Sequence, residues 1–245
     1  GNVFALFLKF LVKGKPKLFW SIRQTLYDIG NEKFLTRQVI KFSQITSGFI
    51  TGITYNSEFS RLQHERYGFN PRNANVIPNG FDVEFLKKEN FFKKSLKDSL
   101  GFGENDIILG HIARVHPMKG HDAFVLASSV LMQSQCNVKV LMVGRGVPEH
   151  CSALIPNELR HRFKLVDETT DVYPYMSLID IFCLTSDWGE GFPNVLAEAM
   201  LLEAVCVATD VGDTVKILEG NGVIVPKGNM PLLLDALIST ASLSR

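Results

Sequence analysis

Short apolar runs alternate with amphipathic stretches along most of the chain. Such alternation is typical of parallel sheets that are covered by helices. The pattern predicts strands near residues 17–22, 49–55, 74–77, 106–113, 138–143, 162–166, 180–184, 204–208 and 222–225, and helices near 32–46, 57–67, 119–134, 150–160, 171–177, 194–202, 213–219 and 229–240. We therefore expect an α/β protein.

The turn at residues 76–82 reads Val-Ile-Pro-Asn-Gly-Phe-Asp and punctuates the end of a predicted strand. After it, residues 87–98 are charged and prone to form a helix, and a new strand is predicted to begin at Ile107. A chain of 245 residues is long enough for two modest α/β domains. We place the domain boundary at this turn, which gives domains of residues 1–82 and 83–245; an ordinary surface turn is the alternative.

The apolar stretch at residues 3–12 is too short to span a membrane, and Lys9 interrupts it. A signal peptide would be followed by small residues at a cleavage site, whereas Lys-Gly-Lys-Pro-Lys follows here. The stretch predicts an amphipathic or buried helix that packs on a sheet. A helix that lies at a membrane interface is the alternative.

The charges are nearly balanced, with 26 Lys and Arg against 25 Asp and Glu. A net charge of +1 gives no global field, so we expect no nucleic-acid partner, and any recognition of phosphate must be local. Cys136, Cys151, Cys183 and Cys206 lie far apart without a Cys-x-x-Cys pair. They are interpreted as reduced core residues of a cytoplasmic protein.

The most informative segment is residues 187–200, which reads Asp-Trp-Gly-Glu-Gly-Phe-Pro-Asn-Val-Leu-Ala-Glu-Ala-Met. Pro193 has a preset φ and no N–H, so it suits the first position of a helix whose free amides would favour an anion. Glu198, one turn later, could accept two hydrogen bonds from a vicinal diol, and Glu190 in the loop faces the same space. A sugar nucleotide offers both a phosphate and diols.

Two Glu separated by seven residues, with Gly-Phe-Pro-Asn after the first, resemble the retaining, GT-B-fold glycosyltransferases of family 4. The resemblance implies a Rossmann-like donor-binding domain at residues 83–245, and at 1–82 the later part of a second, truncated Rossmann-like domain on the acceptor side. It implies a UDP-sugar or GDP-sugar donor, no cofactor, and transfer with retention of anomeric configuration. The implied donor-binding residues are Glu198, Gly191, Phe192, Pro193, Asn194, Val166 and His116.

The resemblance also assigns the catalytic roles, to Arg114, Lys119 and Glu190. Arg114 follows a predicted strand and Lys119 precedes a predicted helix, so both cations should reach the carboxyl edge of the sheet. Negative charge grows on the departing diphosphate during transfer, and fixed cations there lower the barrier. Because the sequence lacks the Asp-x-Asp motif by which many other glycosyltransferases hold a cation, we expect metal-independent transfer.

Three histidines, His111, His116 and His121, cluster around the same loop. We expect a strand, a loop and a helix to point them in different directions, and no Cys or carboxylate completes a zinc site. We therefore predict no metal site, and we expect His116 or His121 to line the cleft.

Two departures from the family pattern matter. Residues 165–172 resemble the segment that brackets the nucleobase, but members often carry Gly and Arg where Val166 and Glu168 stand. Glu168 would repel a diphosphate if it pointed inward; an exposed acidic turn is the alternative. The helix after Met200 lacks the Gly that commonly ends a helix, so its end must be built otherwise.

The upstream strands of the first domain, a glycine-rich loop and an acceptor-side histidine are expected before residue 1. We expect residues 1–245 alone to be marginally stable or prone to aggregate, and to be inactive. The acceptor is expected to be a glycan or a lipid-linked molecule, with peripheral contact at the inner face of the membrane. The alternatives are a non-catalytic module that binds nucleotide sugars and a related GT-B epimerase.

Overall fold

The computed structural model describes residues 1–14, 16–27, 29–31, 33–84 and 93–243. The strands are β1 (Phe19–Ile22), β2 (Gly52–Tyr55), β3 (Ala74–Val76), β4 (Ile107–Ile112), β5 (Val138–Val143), β6 (Phe163–Val166), β7 (Ile181–Leu184), β8 (Val205–Thr209) and β9 (Gly222–Val225). The helices are α1 (Asn2–Leu11), α2 (Phe34–Thr46), α3 (Glu58–Tyr67), α4 (Lys93–Ser99), α5 (His121–Ser134), α6 (Val147–Cys151), α7 (Tyr173–Ser177), α8 (Asn194–Leu201), α9 (Thr214–Leu218) and α10 (Met230–Leu243). Every strand predicted from the sequence is present.

One predicted helix is wrong. In place of a continuous helix at residues 150–160, α6 ends at Cys151 and a 3-10 helix follows at Asn157–Arg162. The break lies at Ile155-Pro156, because a residue that precedes proline is disfavoured in helical conformation. The first half of the predicted helical segment at residues 87–98 lies outside the described residues, and the second half belongs to α4.

The chain divides into two compact units. Unit 1 contains Gly1–Gly80 together with Gly189–Phe192, and unit 2 contains Phe81–Trp188 and the chain from Pro193 onward. The change from one unit to the other falls in the turn where the sequence places its boundary. The sequence-based boundary placed residues 189–192 in the second domain, whereas the structure groups Gly189–Phe192 with unit 1. The acceptor and donor roles of the two units remain predictions.

Unit 1 is built on the parallel sheet β1-β2-β3. Trp20 and Ile53, at paired positions of β1 and β2, are buried with Tyr55 in its small core. Ser57 begins α3, because its Oγ accepts the Ser60 N–H at 3.0 Å. Gly191 lies against the start of α3, since a Cβ at this position would be 3.4 Å from Oδ1 of Asn56. This packing accounts for the grouping of its segment with unit 1.

The helix expected at residues 3–12 is confirmed as α1. Leu6 is buried, and the Phe7 ring stacks on Phe42 with centroids 6.1 Å apart. Phe4 and Phe10 are 67% and 70% exposed, so α1 is amphipathic with an uncovered apolar side. Among the described residues, none of the helices combines the length and the apolar composition that crossing a bilayer requires.

Unit 2 contains a parallel sheet of order β6-β5-β4-β7-β8-β9. The chain runs outward from β4 in one direction and from β7 in the other, so the central pair β4 and β7 is the point where strand order reverses. Helices cover both faces. The core on one face includes residues of α5 and α10, and the core on the other includes residues of α7, α8 and α9. In such sheets, ligands bind outside the carboxyl ends of the two central strands.

The end of α8 shows how the chain manages without glycine. Glu203 adopts a left-handed conformation with φ of 69°, and its N–H bonds to the Met200 carbonyl at 3.0 Å. The Ala204 N–H bonds to the Ala199 carbonyl, also at 3.0 Å. This pair of bonds is a Schellman motif, which normally has glycine at the left-handed position. The expectation that this helix end is built in another way is wrong, because the usual motif forms and Glu203 carries the backbone strain that glycine would avoid.

Replacing Glu203 by glycine should therefore stabilise the protein. A residue with a Cβ is strained in this conformation by about 1 to 2 kcal/mol, and the added flexibility of unfolded glycine offsets part of the gain. We expect a net gain of about 0.5 to 1 kcal/mol, seen as a rise of about 1 to 4 °C in the thermal midpoint. Glu203→Ala is the control, because it removes the charge but keeps the Cβ. An equal rise in both variants would show that charge rather than backbone conformation matters.

Candidate functional site

The candidate site lies in unit 2 at the carboxyl ends of the central strands. Arg114 is exposed and stands two residues after the end of β4. Lys119 ends the 3-10 turn Pro117–Lys119 that leads into α5. The partly buried His116 ring begins this turn, because its Nδ1 accepts the Met118 N–H at 3.3 Å. The structure thus places both predicted cations on one short loop.

A second loop, which follows β7, is bonded to this cation loop. The Thr185 hydroxyl lies 3.0 Å from the carbonyl oxygens of both Lys119 and Gly120. The Asp187 N–H donates to the Met118 carbonyl at 2.9 Å. Gly120 has φ of 64°, and a Cβ at this position would stand 2.1 Å from the Thr185 carbonyl oxygen. Only glycine therefore permits this approach of the two backbones.

Glu198 projects from α8, which follows the same second loop. Its Oε1 is 3.4 Å from the Tyr173 hydroxyl, which donates to it. Burial raises the pKa of Glu198, and the bond from Tyr173 opposes this shift. The predicted position of Pro193 is off by one residue: Pro193 is the N-cap with extended ψ of 96°, and Asn194 is the first residue of α8. No motif in the sequence pointed to Tyr173.

The predicted site residues fall in both units. Arg114, Lys119, Glu198, Pro193, Asn194, Val166 and His116 belong to unit 2, whereas Glu190, Gly191 and Phe192 belong to unit 1. Glu190 is buried, with 9% of its surface exposed. Within unit 2, Arg114 and Lys119 lie on the loop after β4, and Glu198 lies on the helix that follows the loop after β7. The role of Glu190 stays a prediction.

The segment expected to bracket a nucleobase begins at the end of β6. Val166 is the last residue of that strand, and its carbonyl accepts the Gly144 N–H at 3.0 Å. Glu168 forms a two-point ion pair with Arg145, at 2.5 Å from Nη2 and 2.7 Å from Nε. The Arg145 guanidinium lowers the pKa of the Glu168 carboxyl. The negative charge of Glu168 is thus paired with the positive charge of Arg145, and the sequence did not predict this ion pair.

The expectation about the histidines is wrong in part. His111 and His121 do not point apart, because their rings meet with centroids 4.6 Å apart at 65°. Each residue is only 2% exposed, so His121 does not line an open cleft. A strand and the helix after it pack face to face, which the spacing along the chain did not reveal. Across the described residues, no three His, Cys, Asp or Glu side chains form a group suited to a metal ion.

Comparison with known protein families identifies the class of protein to which the chain belongs. The family model described as "Glycosyl transferases group 1" matches residues 106–242, which is more than half of the chain. The chain therefore belongs to the group 1 glycosyltransferase family. Its fold is GT-B, as the sequence resemblance implied.

Individual relatives are more distant. The chain is 29% identical over 182 residues to a phosphatidyl-myo-inositol mannosyltransferase of Mycobacterium leprae, over 73% of this chain and 46% of that protein. It is 25% identical over 177 residues to the Escherichia coli UDP-Gal:alpha-D-GlcNAc-diphosphoundecaprenol alpha-1,3-galactosyltransferase, over 69% of this chain and 45% of that protein. The chain thus spans less than half the length of these relatives.

A solved structure shows the same fold. Anabaena HepE in complex with UDP and glucose superposes with a TM-score of 0.80 at 22% identity, over 99% of this chain and 67% of that chain. At this identity the similarity establishes the fold, and the residue roles need their own tests.

Gly120→Ala tests the contact between the two loops. The added Cβ would meet the Thr185 carbonyl in a left-handed conformation, so we expect a loss of about 3 kcal/mol in the free energy of unfolding by urea. Gly228→Ala is the matched control, because Gly228 has φ of 69° and no atom within 4 Å of the added Cβ. The control should lose about 1 kcal/mol. Equal losses would mean that the contact with Thr185 carries no energy.

Proposed function

We propose that this chain is part of a glycosyltransferase that moves a sugar from a nucleotide diphosphate sugar to a glycan, lipid or other acceptor. Membership of the group 1 family supports the reaction class. The observation that carries the proposal is the position of Arg114 and Lys119 on the loop that follows β4, where the strand order of unit 2 reverses. In doubly wound sheets, a diphosphate binds at this point.

The proposed chemistry starts from the charge that develops on the leaving group. When the bond between the anomeric carbon and the phosphate oxygen breaks, the nucleotide leaves with an additional negative charge. The Arg114 guanidinium can bind two phosphate oxygens at once, and Lys119 supplies a point charge. Fixed cations of this kind lower the barrier by about 2 to 4 kcal/mol, by analogy with lost oxyanion donors. Because these charges belong to the protein, we propose transfer that does not depend on a metal.

The carboxylates have different proposed tasks. Glu198 would accept hydrogen bonds from a diol of the ribose, with Tyr173 fixing one of its oxygens. Glu190 would bind hydroxyls of the transferred sugar. We propose retention by attack on the same face as the leaving phosphate, through an oxocarbenium-like state in which that phosphate accepts the proton of the acceptor. This route needs no carboxylate nucleophile.

The nucleotide base remains to be identified. UDP and GDP sugars are the proposed donors, and the solved HepE complex that contains UDP supports the first. The backbone near Val166 and residues Asn194, Pro193 and His116 would complete the donor pocket. The pairing of Glu168 with Arg145 supports donor binding, because the carboxylate is neutralised locally.

Unit 1 offers a separate cavity for the proposed acceptor. It has a volume of about 420 Å³ at the carboxyl ends of β1 to β3 and is lined by Ser21, Arg23, Thr54 and Asn79, among others. Nη2 of Arg23 donates to Oδ1 of Asn79 at 2.7 Å, which holds the cation at this edge. Hydroxyl and amide groups beside a cation suit a hydroxylated or anionic acceptor.

We also propose that the protein works in the cytoplasm in peripheral contact with a membrane. The exposed Phe4 and Phe10 on α1 and the exposed Lys13 just after it support this, since an amphipathic helix with exposed aromatic side chains and a flanking cation can bind at an anionic interface.

The donor assignment predicts how UDP binding responds to mutation. Arg114→Ala and Lys119→Ala should each raise the dissociation constant of UDP about tenfold to a hundredfold, because each removes a charged bond to the diphosphate. Isothermal titration calorimetry with UDP and GDP measures this. Arg160→Ala is the control, since Arg160 is exposed on the turn that enters the amino end of β6.

If neither UDP nor GDP gives heat on titration, the assignment of a donor site is wrong. The second candidate is a non-catalytic module that binds nucleotide sugars. A GT-B epimerase is a third. Binding of UDP without transfer from any donor, in a protein extended to the length of the relatives, would favour the module. Conversion of the donor sugar without an acceptor would favour the epimerase.

The membrane proposal predicts that the protein sediments with vesicles of phosphatidylglycerol and phosphatidylcholine, because the apolar side of α1 would enter the interface. The double variant Phe4→Ser and Phe10→Ser should lose most of this binding. Leu126→Ser is the matched control, because Leu126 is an exposed apolar residue of α5 in unit 2. Equal binding by the two variants and the parent protein would contradict the role of α1.

A further inference from the structure

The cation loop is held at both ends by buried imidazole rings. At one end, Nε2 of His121 lies 3.1 Å from the carbonyl oxygen of Ala113, the residue before Arg114. At the other end, Nε2 of His111 lies 3.2 Å from the carbonyl oxygen of Lys119 itself. Each ring therefore contacts the backbone directly beside one of the two cations.

The partners determine which nitrogen carries the proton. A carbonyl oxygen can only accept, so Nε2 donates in both His111 and His121. The Thr185 hydroxyl, 3.2 Å from Nε2 of His111, is consistent with this, because its own proton is directed to the two carbonyl oxygens 3.0 Å away and its oxygen can accept. Nδ1 of each ring is buried and has no hydrogen-bond partner in the described structure. A proton there would have nothing to bond to, so both rings are neutral with the proton on Nε2.

The surroundings of the rings reinforce the neutral form. Burial and the neighbouring His121 lower the pKa of His111 to about 3, although the hydrogen bond to the Lys119 carbonyl acts in the opposite direction. Burial also lowers the pKa of His121, although the hydrogen bond to the Ala113 carbonyl raises it. Because the two rings touch, a charge on one would oppose a charge on the other. Both N–H donors are thus available without added charge.

We propose that His111 and His121 are positioning residues that hold Arg114 and Lys119 in the geometry for a nucleotide diphosphate. The inference rests on the proposed function. Each histidine acts through a peptide carbonyl and does not touch the ligand. The bond from Thr185 to the Lys119 carbonyl fixes the same end of the loop, so the carbonyl is held from two sides. The rings make the loop rigid before the ligand arrives, which lowers the entropy cost of binding.

The test compares substitutions that remove the donor with substitutions that keep it. Leucine at position 111 or 121 fills similar space without an N–H, whereas the glutamine side-chain amide can place an N–H near the position of Nε2. His111→Leu and His121→Leu should each raise the dissociation constant of UDP about tenfold, the equivalent of one lost bond to a buried carbonyl. His111→Gln and His121→Gln should stay within about threefold of the parent protein.

His64→Leu provides the matched control. His64 is also 2% exposed, with burial lowering its pKa, but it lies on α3 in unit 1. Its loss should reduce the thermal midpoint and leave UDP binding unchanged. UDP binding by the leucine variants that equals that of the parent would overturn the proposal. Equal weakening by leucine and glutamine would also overturn it, because the retained donor would then have no effect.

Two measurements keep the inference separate from the proposed function and from loss of folding. Nitrogen NMR of the unmodified protein should show His111 and His121 neutral and protonated at Nε2 from about pH 5 to about pH 8. A proton on Nδ1 of either ring would refute the assignment. If the parent protein binds no UDP, the proposed donor site is wrong. The positioning role of the histidines is then tested separately, by amide hydrogen exchange of residues 114–119. That exchange should speed up in the leucine variants and not in His64→Leu; unchanged exchange would reject the role.

Discussion

The bond between the Thr185 hydroxyl and the backbone of Lys119 and Gly120 is the constraint on which the candidate site depends. It joins the loops that leave the two central strands, which otherwise diverge because their following helices cover opposite faces of the sheet. Gly120 makes the contact geometrically feasible, since any side chain there would collide with the Thr185 carbonyl. The position of the Lys119 backbone is therefore set by tertiary contact, and the side chain extends from a fixed point.

In the proposed donor site, recognition of an anion depends on local charge rather than on net charge. The whole chain carries a net charge of only +1. Within unit 2, Glu168 is matched by Arg145, and the Glu198 carboxylate receives a bond from Tyr173. The cation loop is meanwhile held by neutral histidines, so rigidity is gained without additional charges beside the ligand. Under the proposed function, Arg114 and Lys119 would act on a diphosphate as fixed positive groups, and the histidines would hold their loop without adding charge.

The family assignment and the geometry support each other at different levels. The family match covers unit 2 from the start of β4 to the last helix, and the sheet order there is that of a doubly wound nucleotide-binding domain. Unit 1 contributes a smaller sheet with a polar cavity and a helix that exposes aromatic side chains. The chain spans less than half the length of the curated relatives described above, so the reaction of the whole protein is reached by proposal and experiment.

Among the described residues, the sequence by itself determined the strands and most of the helices, and it placed Arg114 just after a strand. Strand periodicity, turn residues and the position of Arg114 after a strand are local properties, because they depend on neighbours a few residues away. Tertiary structure alone decided that His111 meets His121, that Glu168 pairs with Arg145 across 23 residues, and that Gly191 packs on α3. These contacts depend on strand order and on the packing of helices against the sheet, which bring distant residues together without leaving a repeating pattern in the chain.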